Sequence, residues 1–195
     1  MTEQQPYDVV EEHDRFELRR YPEHVVAEVT VRGAFDEAGN RAFRPLFRYI
    51  SGNNRSNRSV AMTAPVVQEA VAQQGGSRKV SMTAPVVQTE SAEGEFVVAF
   101  VLPADLTEAT APVPVDPDVR VRTVPERLAA ARRYSGRWTE ATFRHHAARL
   151  VDDVQRAGLV PDGSPRYARF NAPCTPWFLR RNEVVQDVRR PEDPS

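Results

Sequence analysis

Few residues in this chain could do covalent chemistry. Cys174 is the only cysteine, and it sits between Pro173 and Thr175 with no base predicted beside it. Neither a serine elbow, nor a metal-ligand spacing, nor a glycine-rich phosphate loop occurs, so the usual signatures of serine hydrolases, metal enzymes and nucleotide-binding proteins are missing. Glu183 has the strongest chemical claim. It alternates with Val184 in a strand-like stretch and points to the interior, where a carboxylate must be paired, most simply with Arg180 or Arg181. An internal ion pair is the preferred reading; a buried acid tuned as a general base would make a hydrolase instead, so "not an enzyme" is the expectation and that hydrolase its rival.

The elements that would hold these residues fall into two similar halves. Strands are expected at Arg15 to Arg20 and Val25 to Arg32. In the second, Val25, Ala27, Val29 and Val31 alternate with Val26, Glu28, Thr30 and Arg32, which gives one core face and one wetter face. A helix follows from about Asp36 to Ile50. Asp36 is its candidate N-cap, Gly52 lies just past its end, and Pro45 predicts a kink or an earlier break. Val60 to Gln68 then recurs almost unchanged as Val80 to Gln88, across a Gln/Gly/Ser-rich connector, and reads as a hairpin with Pro65 and Pro85 at strand ends, bulges or edges. Phe96 to Leu102 is continuously apolar, as in a strand covered on both faces.

A proline-rich connection, Asp105 to Asp118, leads to the second half: strands near Val119 to Val124 and Leu128 to Tyr134, a helix from about Glu140 to Ala157 with Thr139 as N-cap, and strands near Tyr167 to Asn171 and Asn182 to Val188. The fold class is α+β, a pseudo-twofold, distorted antiparallel β-barrel with two helices. Residues 6–190 are expected to form one domain of two pseudo-repeats, about 7–103 and 119–188, with 191–195 a disordered tail.

Bulk composition narrows the setting. With 41% hydrophobic residues, 27% charged residues and a formal net charge of -1, the chain has the profile of a soluble globular protein with no general attraction to nucleic acid. A single cysteine excludes an intramolecular disulfide. Met1 to Pro6 has no basic or apolar leader character, and no apolar run approaches the roughly 18 residues of a membrane span. A cytoplasmic protein with no membrane partner is therefore expected.

Several segments resemble the SOUL haem-binding family: Phe16-Glu17-Leu18-Arg19-Arg20-Tyr21, Tyr49-Ile50-Ser51-Gly52-Asn53-Asn54, both Met-Thr-Ala-Pro-Val copies, Ala172-Pro173 and Arg180-Arg181-Asn182-Glu183-Val184. Their order and spacing agree over about Tyr7 to Val188, and the two Met-Thr-Ala-Pro copies look like plant and bacterial members. The resemblance implies a barrel similar to the effector-binding domains of drug-sensing regulators, and non-covalent binding of haem or another tetrapyrrole in an accessible apolar site beside the first helix.

On that reading the first helix supplies the site. Phe43, Leu46 and Phe47 would provide a flat apolar face, and Arg44 and Arg48 would pair with the propionates. Trp177 and Phe178 lie in the segment Ala172 to Phe178 that matches the loop closing over the family's site. Iron ligation is expected to be weak or absent. Some animal members carry a proposed axial histidine where this chain has Arg20, leaving His24 as a substitute, although it falls on the wetter face of its strand. Met62 and Met82 are soft thioethers that read more readily as core filler. His145 and His146 belong to the second helix, and His13 to a charged turn.

A carrier or buffer of a tetrapyrrole is the leading function. Its alternative is a sensor-type module for apolar cations, of the effector-binding kind, in which an acid such as Glu183 would recognise the ligand. The chain has no helix-turn-helix, so such a module would act through a protein partner whose identity the sequence leaves open.

Overall fold

The computed structural model describes residues 3–56, 77–81, 83–171 and 175–192. In chain order it contains β1 (Glu3–Gln4), β2 (Asp8–Glu12), β3 (Glu17–Tyr21), β4 (His24–Arg32), α1 (Phe35–Ile50), β5 (Asn54–Arg55), β6 (Thr83–Ala84), β7 (Val86–Ala92) and β8 (Glu95–Val101). The second half follows with β9 (Val113–Pro114), β10 (Arg120–Val124), β11 (Arg127–Tyr134), α2 (Glu140–Arg156), β12 (Val160–Arg169), a 3-10 turn (Trp177–Leu179) and β13 (Asn182–Arg189).

Nine strands form one antiparallel sheet in the order β10-β4-β8-β7-β12-β13-β11-β3-β2. The expected twofold plan is visible in that order. It reads symmetrically outward from the β7/β12 pair, and each half lends its first strand to the other: β10 pairs with β4, and β3 with β11. The α+β class, with two helices on a large antiparallel sheet, is as expected; among the described residues the distorted barrel does not close edge to edge. The edges β10 and β2 are not paired with each other, so the sheet is an open one curled around a cavity.

Period-2 alternation gives this sheet two different faces. On the outer face, Ala42, Leu46, Tyr49 and Ile50 of α1 pack against Val25, Ala27, Val29, Val98 and Phe100. Ala147, Leu150 and Val154 of α2 pack against Leu18, Ala130, Tyr167, Val184 and Val188. Phe35 joins the two cores, stacking on Phe143 at 5.2 Å and on Tyr167 at 5.6 Å, and meeting Phe96 edge-on at 5.8 Å. The inner face carries the other parity, including Val26, Ala99, Val101 and Val124 in one cluster and Tyr21, Ala129, Ala131, Ala168 and Val185 in another. The wetter face of the Val25 to Arg32 strand is thus the wall of the cavity.

Helix ends depart from expectation at one place. The N-cap of α1 is Ala34, which offers no side-chain cap, and Asp36 lies inside the first turn. There its charge complements the helix N-terminus, while its Oδ1 accepts the Glu140 N–H at 3.0 Å and so links the starts of both helices. Thr139 caps α2 as expected, accepting from the Thr142 N–H at 3.3 Å. Pro45 does not end α1 early; the helix continues to Ile50, held down by its buried ridge. Its exit uses the Tyr49 to Asn54 motif. Gly52 adopts φ +115°, and buried Asn54 donates to the carbonyls of Tyr49 and Arg78, each at 2.7 Å.

Besides the two-residue strands β1, β5 and β9, two strands of the main sheet depart most from the sequence expectation. β2 was not anticipated, since all of its residues are exposed and no alternation marks it. β12 begins at Val160 rather than near Tyr167, because a register shift between Asp162 and Arg166, at Gly163 with φ +63°, breaks its pattern. Of the repeated segment, 60–68 and Met82 lie outside the described residues; the second copy's Val86, Val87 and Gln88 begin β7, which pairs with β8 and β12. Pro85 falls between two strands, where its missing donor is harmless.

Leu46 is fully buried beneath α1 while Phe47 is nearly half exposed beside it. Leu46→Ala is expected to cost about 2 to 5 kcal/mol, whereas Phe47→Ala should cost well under half of that. Urea unfolding of the two variants measures the contrast.

Candidate functional site

The solvent side of α1 carries the first candidate surface. Helical spacing turns Ala42, Leu46 and Tyr49 to the sheet and leaves Phe43, Arg44, Phe47 and Arg48 outward. Phe43 and Phe47 are 38% and 45% exposed, and their rings stack at 5.5 Å with an interplanar angle of 14°. From below, Phe100 meets Phe43 edge-on at 5.7 Å. Stacked rings open to water form a flat apolar shelf of the kind a ligand or partner covers. Neither Arg44 nor Arg48 is paired with a carboxylate among the described residues.

A second exposed aromatic group lies on the turn before β13, where Trp177 meets Phe178 at 5.7 Å with planes nearly perpendicular. The turn is anchored. Arg180 Nε donates to the Thr175 carbonyl at 2.7 Å, and its guanidinium lies 4.0 Å from the centre of the Trp138 ring. Arg169 approaches the same ring at 5.1 Å and also packs on α1, where a Cβ at Gly39 would lie 2.6 Å from its Nη1. Gly39, Phe43 and Phe47 follow one another at four-residue spacing along one ridge. A continuous set of contacts therefore runs from the turn through Arg180, Trp138 and Arg169 to the helix that bears the shelf.

The other candidate is the cavity inside the sheet, about 300 Å³ in volume. Its apolar wall includes Val26, Val97, Ala99, Val101, Val124 and Val185, and Asp162, Gly163 and Ser164 of the β12 bulge stand exposed at its rim. Its polar groups centre on β13. Glu183 Oε2 accepts from Arg19 Nη1 at 2.7 Å, and Oε1 accepts from Arg181 at 3.0 and 2.7 Å. Four residues on, Asp187 accepts from Arg166 at 2.6 and 2.9 Å and from Arg127 at 2.7 Å. Burial alone would lower the pKa of Arg19, but its bond to Glu183 and the nearby Tyr21 and Glu183 oxygens outweigh it and the guanidinium is held above its ordinary range.

His24 lines this cavity too. Its Nδ1 lies 2.8 Å from the Pro22 carbonyl, which can only accept, so Nδ1 carries the proton and Nε2 is left to accept from Gln5 Nε2 at 3.1 Å. Burial pushes the imidazole below its usual pKa, an effect outweighing the opposing bond to Pro22, and the charges of Arg166, Arg127 and Arg122 push the same way.

Comparison with known proteins fits this architecture. Heme-binding protein 1 of Xenopus tropicalis is 27% identical over 179 residues, covering 86% of this chain and 84% of the relative. The family model described as SOUL heme-binding protein matches residues 2–187. The chain belongs to the SOUL heme-binding protein family. Among solved structures, the EcmrR C-terminal domain aligns with a TM-score of 0.61 at 12% identity, over 94% of the SOUL chain and 98% of that domain. A hydrolase from Listeria innocua aligns at 0.52 and 12% identity, over 96% and 94% of the two chains. Both share the fold at these levels of identity.

Within this SOUL chain the structure brings Phe43, Arg44, Phe47 and Arg48 together on one open helix face. Leu46 is corrected from surface to core: its side chain is fully buried beneath α1 and offers nothing to a ligand. His24 is on the wrong side of the sheet for an iron above the shelf. Its strand packs Val25, Ala27 and Val29 on α1, and the even-numbered residues face the cavity. Glu183 is paired within the interior as preferred, with Arg19 and Arg181 in place of Arg180. Met62, Met82 and the segment 172–174, including Cys174, lie outside the described residues. His13 stacks on Phe16 at 4.2 Å and His146 on Tyr134 at 4.0 Å. Among the described residues no group of His, Cys, Asp and Glu could hold a metal ion, and no helix is long and apolar enough to cross a membrane.

Sequence reasoning missed Arg169 and the cavity arginines. No periodicity marks Arg169, whose role depends on Gly39 leaving room for it. The cavity set was partly visible as alternating charged residues on β13, Glu183 and Asp187, but their partners come from β3, β11 and β12.

Replacing Glu183 by Gln would leave buried Arg19 with only the more exposed Glu17 as a carboxylate partner, and is expected to cost about 3 kcal/mol in a denaturant titration. His24 gives a pH test. Its folded pKa lies below the usual 6.5, so the unfolded chain takes up the proton first as pH falls. The stability it contributes is full above about 6.5 and is lost as pH drops from there through the lower folded pKa. His24→Gln should flatten, without abolishing, the decline in melting temperature below pH 6.5, because burial also holds His146 low.

Proposed function

We propose that this chain binds haem or a related tetrapyrrole non-covalently on the shelf of α1, and acts as a cytoplasmic carrier or buffer. The observation that carries the reading is the stacked, solvent-exposed Phe43/Phe47 pair with Arg44 and Arg48 beside it. A macrocycle laid on the two rings would gain apolar burial, and its propionates would meet two guanidiniums with no carboxylate partner among the described residues. Membership of the SOUL family supports the same ligand class.

The residues present fit the macrocycle and its acidic edge better than they fit the iron. We assign Trp177 and Phe178 the covering role; the contacts of Arg180 on Trp138, and of Arg169 on Trp138 and Gly39, which tie their turn toward α1, support it. His24 is separated from the shelf by the sheet itself. Haem supplies its own redox and ligand-binding chemistry when bound; the protein's part is to hold the ring, shield one face from water and orient the propionates. An open shelf without a strong axial bond suits exchange with a partner. The alternative reading, a sensor for apolar cations, needs an available acid in the cavity, and Glu183 is already bracketed by two arginines.

Titration of hemin into the purified protein should give a red-shifted, sharpened Soret band at micromolar concentrations. Phe47→Ala is expected to weaken binding by about tenfold or more, given roughly 1.5 to 3 kcal/mol for burying such a side chain. Arg44→Ala and Arg48→Ala should each weaken it up to about fivefold, the range of an exposed ion pair, with melting temperature unchanged. His24→Ala should leave the spectrum of the complex as it is. Absence of any spectral change in the parent protein would overturn the proposal.

A further inference from the structure

The cavity and the shelf lie on opposite faces of one sheet, and the cavity has a chemistry of its own. Along the inner row of β13, Glu183, Val185 and Asp187 follow at two-residue spacing. Each acid is held by two arginines, Glu183 by Arg19 and Arg181 and Asp187 by Arg166 and Arg127. Across the cavity, Glu28 is matched by Arg122 at 2.9 Å. The carboxylates of Glu183, Asp187 and Glu28 are therefore satisfied at least once over; Asp162, the lining carboxylate with no ion pair among the described residues, stands exposed at the rim, and guanidinium donors remain inside. A guanidinium carries five N–H groups; among the described residues Arg166 uses two of them and Arg127 one.

An incoming group thus meets valine and alanine walls together with unused guanidinium donors, and no uncommitted carboxylate on β13. We infer that the cavity is a second ligand site, independent of the α1 shelf, selective for a compact apolar anion such as an aryl or branched-alkyl carboxylate. Its carboxylate would bond Arg166 and Arg127 beside Asp187, and its hydrocarbon part would lie against Val97, Ala99 and Val185. A volume of about 300 Å³ sits at the small end of ligand pockets, which limits the guest to one or two rings. The depressed pKa of His24 agrees with this sign: after burial, the charges of Arg166, Arg127 and Arg122 are what hold its proton off. A guest that brings negative charge relieves that field, and one that brings positive charge adds to it.

The test uses two probes of like shape and opposite charge, naphthalene-1-acetate and naphthalen-1-ylmethylammonium, titrated calorimetrically into the full chain. The anion is expected to bind at least tenfold more tightly than the cation. Arg166→Gln and Arg127→Gln should each weaken the anion at least fivefold, and the cavity-filling Val97→Phe should abolish its binding. Arg127 is the more exposed of the two arginines, so its variant keeps the test decisive if another fails to fold in a thermal melt. Saturation with hemin, and Phe47→Ala, should leave anion binding unchanged. Equal or tighter binding of the cation, no binding of either probe at millimolar concentration, or loss of the anion with Phe47→Ala in place of Val97→Phe would each overturn the inference. The hemin proposal stands or falls separately, since its readout is the Soret band and its variants lie on the opposite face.

Discussion

Everything in this fold follows from giving one antiparallel sheet two different covers. Successive side chains must point to opposite faces, so each strand here contributes one row to the helix-packed core and one to the cavity. β4 shows the division within nine residues: Val25, Ala27 and Val29 under α1, and His24, Val26 and Glu28 inside. A one-residue slip would exchange the rows and drive Glu28 beneath the helix. The exchange of first strands between halves resists such a slip, because β10 and β3 are each locked to a strand of the other half. Phe35 ties the outer layer across the same boundary, in contact with residues of both halves.

That division decides which residues can cooperate. Groups close in sequence, such as His24 and Val25, serve different sites, and groups far apart, such as Arg19 and Glu183, form one ion pair. Charge follows the same logic. The outer face under the helices is largely apolar, with Gln88, Asn182 and Gln186 as its buried amides, while the inner face carries Glu183, Asp187 and Glu28 with their arginines. Burying those ions costs desolvation that only multiple hydrogen bonds offset. The doubled guanidinium partners of Glu183 and Asp187 supply those bonds, and they leave the inner face richer in donors than in acceptors.

Much of this was legible in the residues. Alternation in Val25 to Arg32, the apolar run from Phe96 to Leu102 and the capped pattern around Thr139 each describe a local event, a side chain choosing a face or a hydroxyl meeting an N–H, and local events leave local marks. The stripe on α1 was read one residue too generously. Leu46 and Phe47 are adjacent and both apolar, and only the rotation of the helix against the sheet decides which is core. Where tertiary structure did the choosing, the sequence was silent. Asp36 has the type and place of an N-cap, yet Ala34 precedes the helix and Asp36 bonds across to α2. The bulge in β12 broke the alternation that would have announced its first half. Whether the two edge strands β10 and β2 meet is a global property with no local signature at all.

The contrast between the two candidate sites is finally one of exchange. A ligand inside the cavity would be enclosed by the sheet on several sides, and leaving it would require breaking bonds to arginines that are themselves held rigidly by β13. A ligand on α1 would sit on two rings that remain open to water, next to guanidiniums on long, solvated side chains. Such a shelf would bind through area and sign of charge, with little demand on geometry, and so would tolerate variation in what lies on it. The absence of His24 from the shelf fits this: a strong axial bond would slow release, and the sheet keeps the one inner-face histidine committed to Pro22 and Gln5. The same two-faced sheet keeps the histidine and the shelf apart, so any ligand on the outer face would be held without a bond from His24.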